Sequence, residues 1–278
     1  MNKLICTFLI FFSLFLLKAS AVVVPTLNLD LIEKEIAALD GNSLVVFDID
    51  YTLIIPKDSI LGPCGEHYLQ KWIRGVEIKS EQREILSSLI MLQSKVSLID
   101  DKILDLIDVL KHKKIKTVAL TAMPTGQYGL IPSMEAWRVK QIGDLGIHFG
   151  WSFPLLDHFA LDEFVEFITK PAYKQGILGS ARYPKGKVLT AFLRKMGWKP
   201  SKIIFIDDRL DFIASVEAEI EKESIPLISF HYTAALDKHS HLDIRVADFQ
   251  LNHLIQNYEW ISDERAQQQL SSDLTLHK

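Results

Sequence analysis

Asp48 and Asp50 follow an apolar run at residues 44–47 (Leu-Val-Val-Phe) and precede the hydroxyl residue Thr52. A continuous apolar run of this length predicts a buried β-strand, and residues spaced by two leave the same face of an extended chain. Two carboxylates held so close repel each other and are costly to dehydrate, so they need a cation or a shared proton. The alternative is that both aspartates simply end a strand, as aspartate often does.

A second segment of the same design lies far downstream. The run 202–206 (Lys-Ile-Ile-Phe-Ile) is followed by Asp207 and Asp208, with Asp211 close behind. If the two strands are parallel neighbours, their carboxyl ends meet at the sheet edge where open α/β sheets bind ligands. The acids would then converge around a hard divalent cation, and oxygen ligands with open water positions favour Mg²⁺. The sequence therefore predicts a magnesium site.

Two further residues could neutralise or bind an anion at this edge. Thr121 ends the strand-like segment 117–120 and could donate to a phosphate oxygen, although threonine is common in strands for structural reasons. Lys185 precedes Gly186 at the start of an amphipathic helix, where it could neutralise both the aspartates and an incoming phosphate. The alternative for Lys185 is a solvated surface lysine, and Lys187 could replace it by a small shift of register.

The order of these parts resembles the haloacid dehalogenase-like (HAD) superfamily, in its phosphatase branch. Asp-x-Asp-x-Thr follows the first strand, Thr follows the second, Lys-Gly precedes a helix and a double Asp follows a further strand. The resemblance covers roughly residues 43–230 and is greatest to secreted bacterial members. It implies an α/β fold: a Rossmann-like, doubly wound parallel sheet with helical cap insertions above its carboxyl edge.

The resemblance also implies a role for each residue. Asp48 would be the nucleophile that forms an aspartyl-phosphate. Asp50 would protonate the leaving group and then activate water. Thr121 and Lys185 would hold the phosphoryl oxygens.

The same resemblance implies a ligand set for Mg²⁺. The side chain of Asp48, the backbone carbonyl of Asp50 and Asp207 would bind the ion, with Asp208 or Asp211 as an outer-shell or additional ligand. Asp207 and Asp211 have the four-residue spacing of one family variant, whereas Asp207-Asp208 resembles another. The sequence therefore leaves the second acid open.

Two insertions interrupt the predicted core. The first, about residues 57–114, has apolar residues at helical spacing in 81–92 and 99–110, and we interpret both helices as a cap. The second, about residues 124–183, begins with a predicted helix at 133–145 and continues through aromatic-rich turns. Most of these aromatic side chains should lie in the core, and some could form a specificity wall above Asp48.

The ends and the charge of the chain bear on location and partners. Residues 1–21 have the form of a signal peptide: Lys3, an apolar run at 4–17 and a small-residue site at 19–21. A membrane anchor is the alternative, although the run is short for a span. The formal net charge is −4 with no basic tract, which argues against a nucleic-acid partner. The polar stretch from about Asp263 is expected to fray.

The sequence thus predicts a Mg²⁺-dependent phosphatase of the bacterial periplasm or exterior, built as a single HAD-like domain at 22–278. It would hydrolyse a small phosphomonoester through an aspartyl-phosphate, with no stable membrane anchor after signal cleavage. Phosphotransfer to an acceptor other than water would use the same residues. The alternative from another class is a secreted binding or host-interaction protein without turnover, against which the complete set Asp48, Asp50, Thr121 and Lys185 argues.

Overall fold

The computed structural model describes residues 22–238 and 241–276. The strands of this part of the chain are β1 (Val22–Thr26), β2 (Leu44–Phe47), β3 (Ile54–Pro56), β4 (Val96–Leu98), β5 (Lys116–Thr121), β6 (His158–Ala160), β7 (Ala172–Lys174), β8 (Ile177–Gly179), β9 (Ile203–Asp207) and β10 (Leu227–Tyr232). The α-helices are α1 (Asp30–Ala37), α2 (Glu66–Gly75), α3 (Ser80–Gln93), α4 (Lys102–His112), α5 (Met134–Gly143), α6 (Lys185–Met196), α7 (Leu210–Ile220), α8 (Ile244–Asn257) and α9 (Asp263–Leu276).

One large sheet organises the fold, with the strand order β1-β10-β9-β2-β5-β8-β7-β6. Neighbours from β1 to β8 pair in parallel, whereas β7 runs antiparallel to both β8 and β6. The strands β3 and β4 form a separate antiparallel ribbon. The α/β class predicted from the sequence is confirmed, with the refinement that the sheet is mixed and mostly parallel.

Helices cover both faces of the sheet, which is why the central strand β2 is apolar along its whole length. Val45 and Phe47 belong to a core shared with α1, α4 and α5, whereas Leu44 and Val46 belong to a second core shared with α6 and α7. Each such side chain contributes about 1.5–3 kcal/mol when it is fully buried. Strand β2 is therefore held from both faces, and its carboxyl end is a fixed platform for the residue that follows.

A third hydrophobic cluster joins α3 and α8 through Leu86, Leu89, Leu251 and Leu254, and partly buried side chains of α2 such as Trp72 pack against it. In the chain, strand β3 precedes α2 and its ribbon partner β4 follows α3. Only part of the first predicted insertion therefore forms a helical unit beside the sheet.

The helix predicted at 99–110 forms α4 and is not a cap helix. Its residues Ile103, Leu106, Ile107 and Leu110 belong to the core of the sheet, on the face that also buries Val45. An amphipathic pattern reports a buried face but does not say which surface covers that face. The sequence could therefore predict the helix without predicting where it packs.

The second insertion extends the sheet. It contributes α5, close to the helix predicted at 133–145, and the strands β6, β7 and β8. Most of its aromatic side chains belong to the two sheet cores; for example, Phe149 stacks on Phe47 with ring centroids 6.1 Å apart. The core position expected for most of these rings is confirmed, and a specificity wall above Asp48 stays a prediction.

The sequence makes one prediction for each end of the chain, and the structure describes only the second of these segments. The predicted signal peptide at residues 1–21 lies outside the described residues. The stretch from Asp263, expected to fray, forms α9 and buries Ala266 against α8. Among the described helices, none is long and apolar enough to cross a bilayer.

Candidate active site

The register of β2 and β9 brings two acids together. Phe47 pairs with Ile206, and the N–H of Asp48 donates to the carbonyl of Ile206 at 2.8 Å. Asp48 and Asp207 therefore stand side by side at the carboxyl edge of the sheet, where ligands of such folds bind. Both are buried, at 4% and 0% exposure.

Lys185, the first residue of α6, bridges these acids. Its Nζ donates to Oδ1 of Asp48 at 2.5 Å and to Oδ2 of Asp207 at 2.7 Å, and it lies 4.3 Å from the ring centre of Phe212. Burial alone would lower the pKa of Lys185, but the carboxylates of Asp48 and Asp207 outweigh it and raise the pKa. The buried ammonium group therefore stays charged.

Gly186 gives a physical reason for the Lys-Gly pair. A Cβ at this position would lie 1.9 Å from the carbonyl oxygen of Ser215 in α7. The N–H of Gly186 instead donates to Oγ of Ser215 at 3.1 Å. The start of α6 can therefore approach α7 closely, and this approach carries Lys185 to the sheet edge.

The structure distinguishes between the two acids that the sequence left open. A carboxylate oxygen of Asp208 lies within 4.8 Å of those of Asp48 and Asp207. Its backbone is held by His231 of β10, whose Nε2–H donates to the Asp208 carbonyl at 3.0 Å. Asp211 instead forms an ion pair with Arg209 at 2.7 Å on the surface. Asp208 is therefore the acid placed to share a cation.

This donor set fits a hard divalent ion. Burial raises the pKa of Asp48 to about 8 and that of Asp208 to about 7, and burial also raises the pKa of Asp207. Lys185 alone does not balance the three negative charges that these groups would carry when ionised. A cation bound by carboxylate oxygens would restore the balance, and Mg²⁺ has that preference.

Asp50 leaves the cluster at a tight turn. The N–H groups of Leu53 and Ile54 both donate to the carbonyl of Ile49, at 2.9 and 3.1 Å. Tyr51 has φ of 62°, a left-handed conformation that is uncommon for a bulky residue. The Tyr51 hydroxyl donates to the carbonyl of Leu61 at 2.6 Å and ties the turn to the segment before α2. Local strain of this kind concentrates at functional sites.

Arg138 of α5 binds the Asp50 side chain. Its two terminal nitrogens donate to the two carboxylate oxygens at 2.9 and 2.8 Å. The Arg138 side chain is 5% exposed, whereas that of Asp50 is 45% exposed. This bidentate geometry fixes the plane of the carboxylate as well as its position.

The remaining predicted residues lie in different places. Thr121 is buried at the end of β5, the other neighbour of β2, and its carbonyl accepts from the N–H of Ser180 at 2.8 Å. Lys187 is exposed and lines a surface cleft with Glu219 and Lys222, away from the acids. Lys185, and not Lys187, is the lysine at the cluster.

Comparison with known proteins gives a family. Residues 25–267 match the model of a family described as "Protein of unknown function (DUF2608)". The chain belongs to the DUF2608 family. It is similar to an uncharacterized protein of Rickettsia bellii, at 24% identity over 83% of this chain and 85% of that protein. A protein of Rickettsia prowazekii, also uncharacterized, is 20% identical over 90% of this chain and 91% of its own length.

In this DUF2608 chain, Arg138 is the site residue that the sequence analysis missed. It lies in the helix that the sequence predicts at 133–145, but a single arginine in a helix is normally solvated. Its neighbour Glu135 is also buried and accepts from the N–H of Gly126 at 2.8 Å. Two opposite charges one turn apart on the buried side of a helix are the signal that could have found Arg138.

Proposed function

We propose that this protein is a Mg²⁺-dependent phosphatase of the HAD type, acting on a small phosphomonoester. The observation that carries the proposal is the acidic cluster at the carboxyl edge of the sheet: buried Asp48 and Asp207 bind the Lys185 ammonium, and partly buried Asp208 lies beside them. Nothing in the packing of the sheet requires these charges, and burying them opposes folding. A catalytic use explains why they are there.

In the proposed reaction, Asp48 attacks phosphorus, a bond forms between its carboxylate oxygen and phosphorus, and the bond from phosphorus to the leaving oxygen breaks. Asp50 gives a proton to that oxygen. Asp50 then takes a proton from water as the water oxygen attacks phosphorus, which releases Asp48 and inorganic phosphate. Thr121 and Lys185 hold phosphoryl oxygens and offset their charge.

Asp48, Asp207 and Asp208 would hold Mg²⁺. The ion would supply charge that reduces the repulsion between an anionic nucleophile and an anionic substrate. The backbone carbonyl of Asp50 remains a predicted fourth protein ligand.

The direct test is phosphate release by the purified protein from an aryl phosphate such as 4-nitrophenyl phosphate. We expect release that depends on added Mg²⁺ and stops with EDTA, and that is lost in Asp48→Asn. Asp211→Asn is the control. Among the described side chains, the Asp211 carboxylate pairs only with Arg209, so this variant should retain activity. Phosphate release by Asp48→Asn at the wild-type rate would refute the mechanism.

We also propose that the protein is exported. The support is the signal-like pattern of residues 1–21 described above. Mass spectrometry of the protein recovered from its native cells should give an N-terminus near residue 22. An intact residue 1 in the recovered protein would contradict export by cleavage.

A further inference from the structure

The ion pair of Arg138 and Asp50 is more closely constrained than a surface pair. One terminal nitrogen of Arg138 also donates to Oε1 of Gln141 at 2.7 Å, and the guanidinium lies 4.8 Å from the ring centre of Trp137. The guanidinium is therefore fixed by stacking, by an amide and by a carboxylate. Such pre-organisation leaves little freedom to the group that it binds.

The helix that carries Arg138 is itself anchored. Oγ of Ser133 accepts from the N–H of Ala136 at 3.2 Å and caps α5. Glu135 holds the preceding loop, accepting from Gly126 N–H at 2.8 Å and from the Ser133 hydroxyl at 2.9 Å. Helix α5 also packs against the sheet core through Met134. Arg138 therefore reaches Asp50 from a rigid support.

Asp50 lacks such support of its own. It follows the strand, directly precedes the turn at residues 51–53 and has a half-exposed side chain. An isolated aspartate there would sample several rotamers, and only some would reach a leaving group bound beside Asp48. A guanidinium fork that binds both oxygens selects one orientation.

We propose that Arg138 is a positioning residue that acts through Asp50, holding the ionised carboxylate in the orientation in which it takes a proton from water. The inference rests on the proposed function, because proton transfer is the role that the proposed function gives to Asp50. A displacement of about 1 Å in a reacting group can reduce a rate about 100-fold. Arg138 thus contributes to the rate without contacting the substrate.

A double-mutant cycle tests this directly. The variants are Arg138→Gln, Asp50→Asn and the double variant, with Arg138→Lys as a second probe that keeps the charge but loses the bidentate fork. Lys140→Gln is the matched control, since Lys140 is exposed on the same helix and pairs with Asp144. The readouts are kcat and KM for 4-nitrophenyl phosphate with Mg²⁺.

We expect Arg138→Gln to lower kcat about 30-fold, with KM changed less than about 3-fold. In the D50N background the same change should lower kcat less than about 2-fold, because the group on which Arg138 acts is already lost. Arg138→Lys should fall between wild type and Arg138→Gln, and Lys140→Gln should match wild type. An equal loss in both backgrounds would overturn the proposal, since Arg138 would then act on the substrate or on the fold.

Crystal structures of the wild type and of Arg138→Gln provide a readout that needs no turnover. The Asp50 side chain should keep its orientation in the wild type and leave it in the variant. An unchanged Asp50 in Arg138→Gln would overturn the proposal. If the wild type releases no phosphate, the proposed function fails, and this comparison still decides whether Arg138 orients Asp50.

Discussion

Two acidic clusters of this protein are satisfied in opposite ways. Asp58 accepts from the indole N–H of Trp260 at 2.8 Å and from the backbone N–H of Asp263 at 3.0 Å. Asp263 accepts in turn from the N–H of Ser59 and from the side-chain amide of Gln250, both at 2.9 Å. Each of the four carboxylate oxygens thus has an uncharged donor. This cluster fastens the start of α9 to the segment that precedes α2.

The cluster at the sheet edge has a different composition. Asp48, Asp207 and Asp208 lie together, and Lys185 bonds the first two of them. One neutral donor is also present, because Asp207 accepts from the N–H of Arg209 at 2.9 Å. Neutral N–H donors satisfy buried carboxylates without any further ligand, whereas clustered carboxylates with one ammonium leave charge to be balanced. The comparison teaches that buried acids can be stabilised without any cation, as in the first cluster, whereas the second cluster has one ammonium for three acids.

The largest expected difference between the two clusters is the loss of catalytic activity when one of their acids is replaced. Asp207→Asn removes a proposed metal ligand, so kcat/KM for an aryl phosphate with Mg²⁺ should fall about 1000-fold. Asp58→Ala, in the other buried cluster, should keep kcat/KM within about 2-fold, because the two sites are separate. Equal losses in the two variants would remove the distinction between the clusters.

Lys185 should affect both activity and stability. Lys185→Met leaves two buried carboxylates without their cation, and removing one partner of a buried ion pair typically costs about 3–5 kcal/mol. We expect a loss of this order in the free energy of unfolding of the metal-free protein, measured by urea denaturation, together with about 100-fold lower kcat. Wild-type stability in Lys185→Met would show that the ammonium does not hold the acids together.

The Asp58 cluster should respond in stability alone. Asp58→Ala leaves the indole N–H of Trp260 and the N–H of Asp263 without their acceptor, which should lower the free energy of unfolding by about 1–3 kcal/mol. Urea denaturation of Asp58→Ala with and without Mg²⁺ measures this loss. The stabilisation by Mg²⁺ should be the same as in wild type. A lost response to Mg²⁺ would mean that Asp58 supports the metal site.

The pH dependence of stability gives a fourth contrast. The raised pKa values of Asp48, about 8, and Asp208, about 7, mean that the folded metal-free protein binds more protons than the unfolded chain above about pH 4. The free energy of unfolding of the metal-free protein therefore falls as pH rises from about 4 towards about 8. Added Mg²⁺ should stabilise the protein more at pH 8 than at pH 5, measured as Tm against an EDTA control. The same Tm difference at both values of pH would contradict this linkage.

The smallest expected effect concerns Lys187, which the sequence left open as an alternative to Lys185. Lys187 is exposed, so Lys187→Met should change kcat by less than about 2-fold and stability by less than about 0.5 kcal/mol. The same assay and denaturation series used for Lys185→Met checks both values. A large loss of activity in Lys187→Met would reverse the assignment of the two lysines.

The sequence predicted the strands whose burial is indicated by a run of consecutive apolar residues. The apolar runs of β2 and β9 mark strands covered on both faces, and each run ends where an acid begins. The Lys-Gly pair is the start of α6, where the missing Cβ of Gly186 allows close contact with α7. These local patterns are enough to predict the central strands and the acids that follow them.

The remainder depends on contacts between distant segments. The periodicity of α4 does not show that it packs on the sheet, and the polar composition of α9 conceals the hydrogen bond from Asp263 to Asp58 that fixes its start. The pairing of Arg138 with Asp50 joins two segments that share no motif. The strands β6, β7 and β8 have three residues each, too few for a periodic signal.

The most direct test of the central claim is a crystal structure determined from crystals soaked with Mg²⁺ and beryllium fluoride. Beryllium fluoride mimics a phosphoryl group on an aspartate. The account predicts Mg²⁺ bound by the carboxylates of Asp48 and Asp207, with Asp208 in contact with the ion or its water. The fluoride adduct should lie on Asp48 and contact Thr121 and Lys185. An Asp48 that carries no adduct and a cluster that binds no metal, in crystals soaked to saturation, would contradict it.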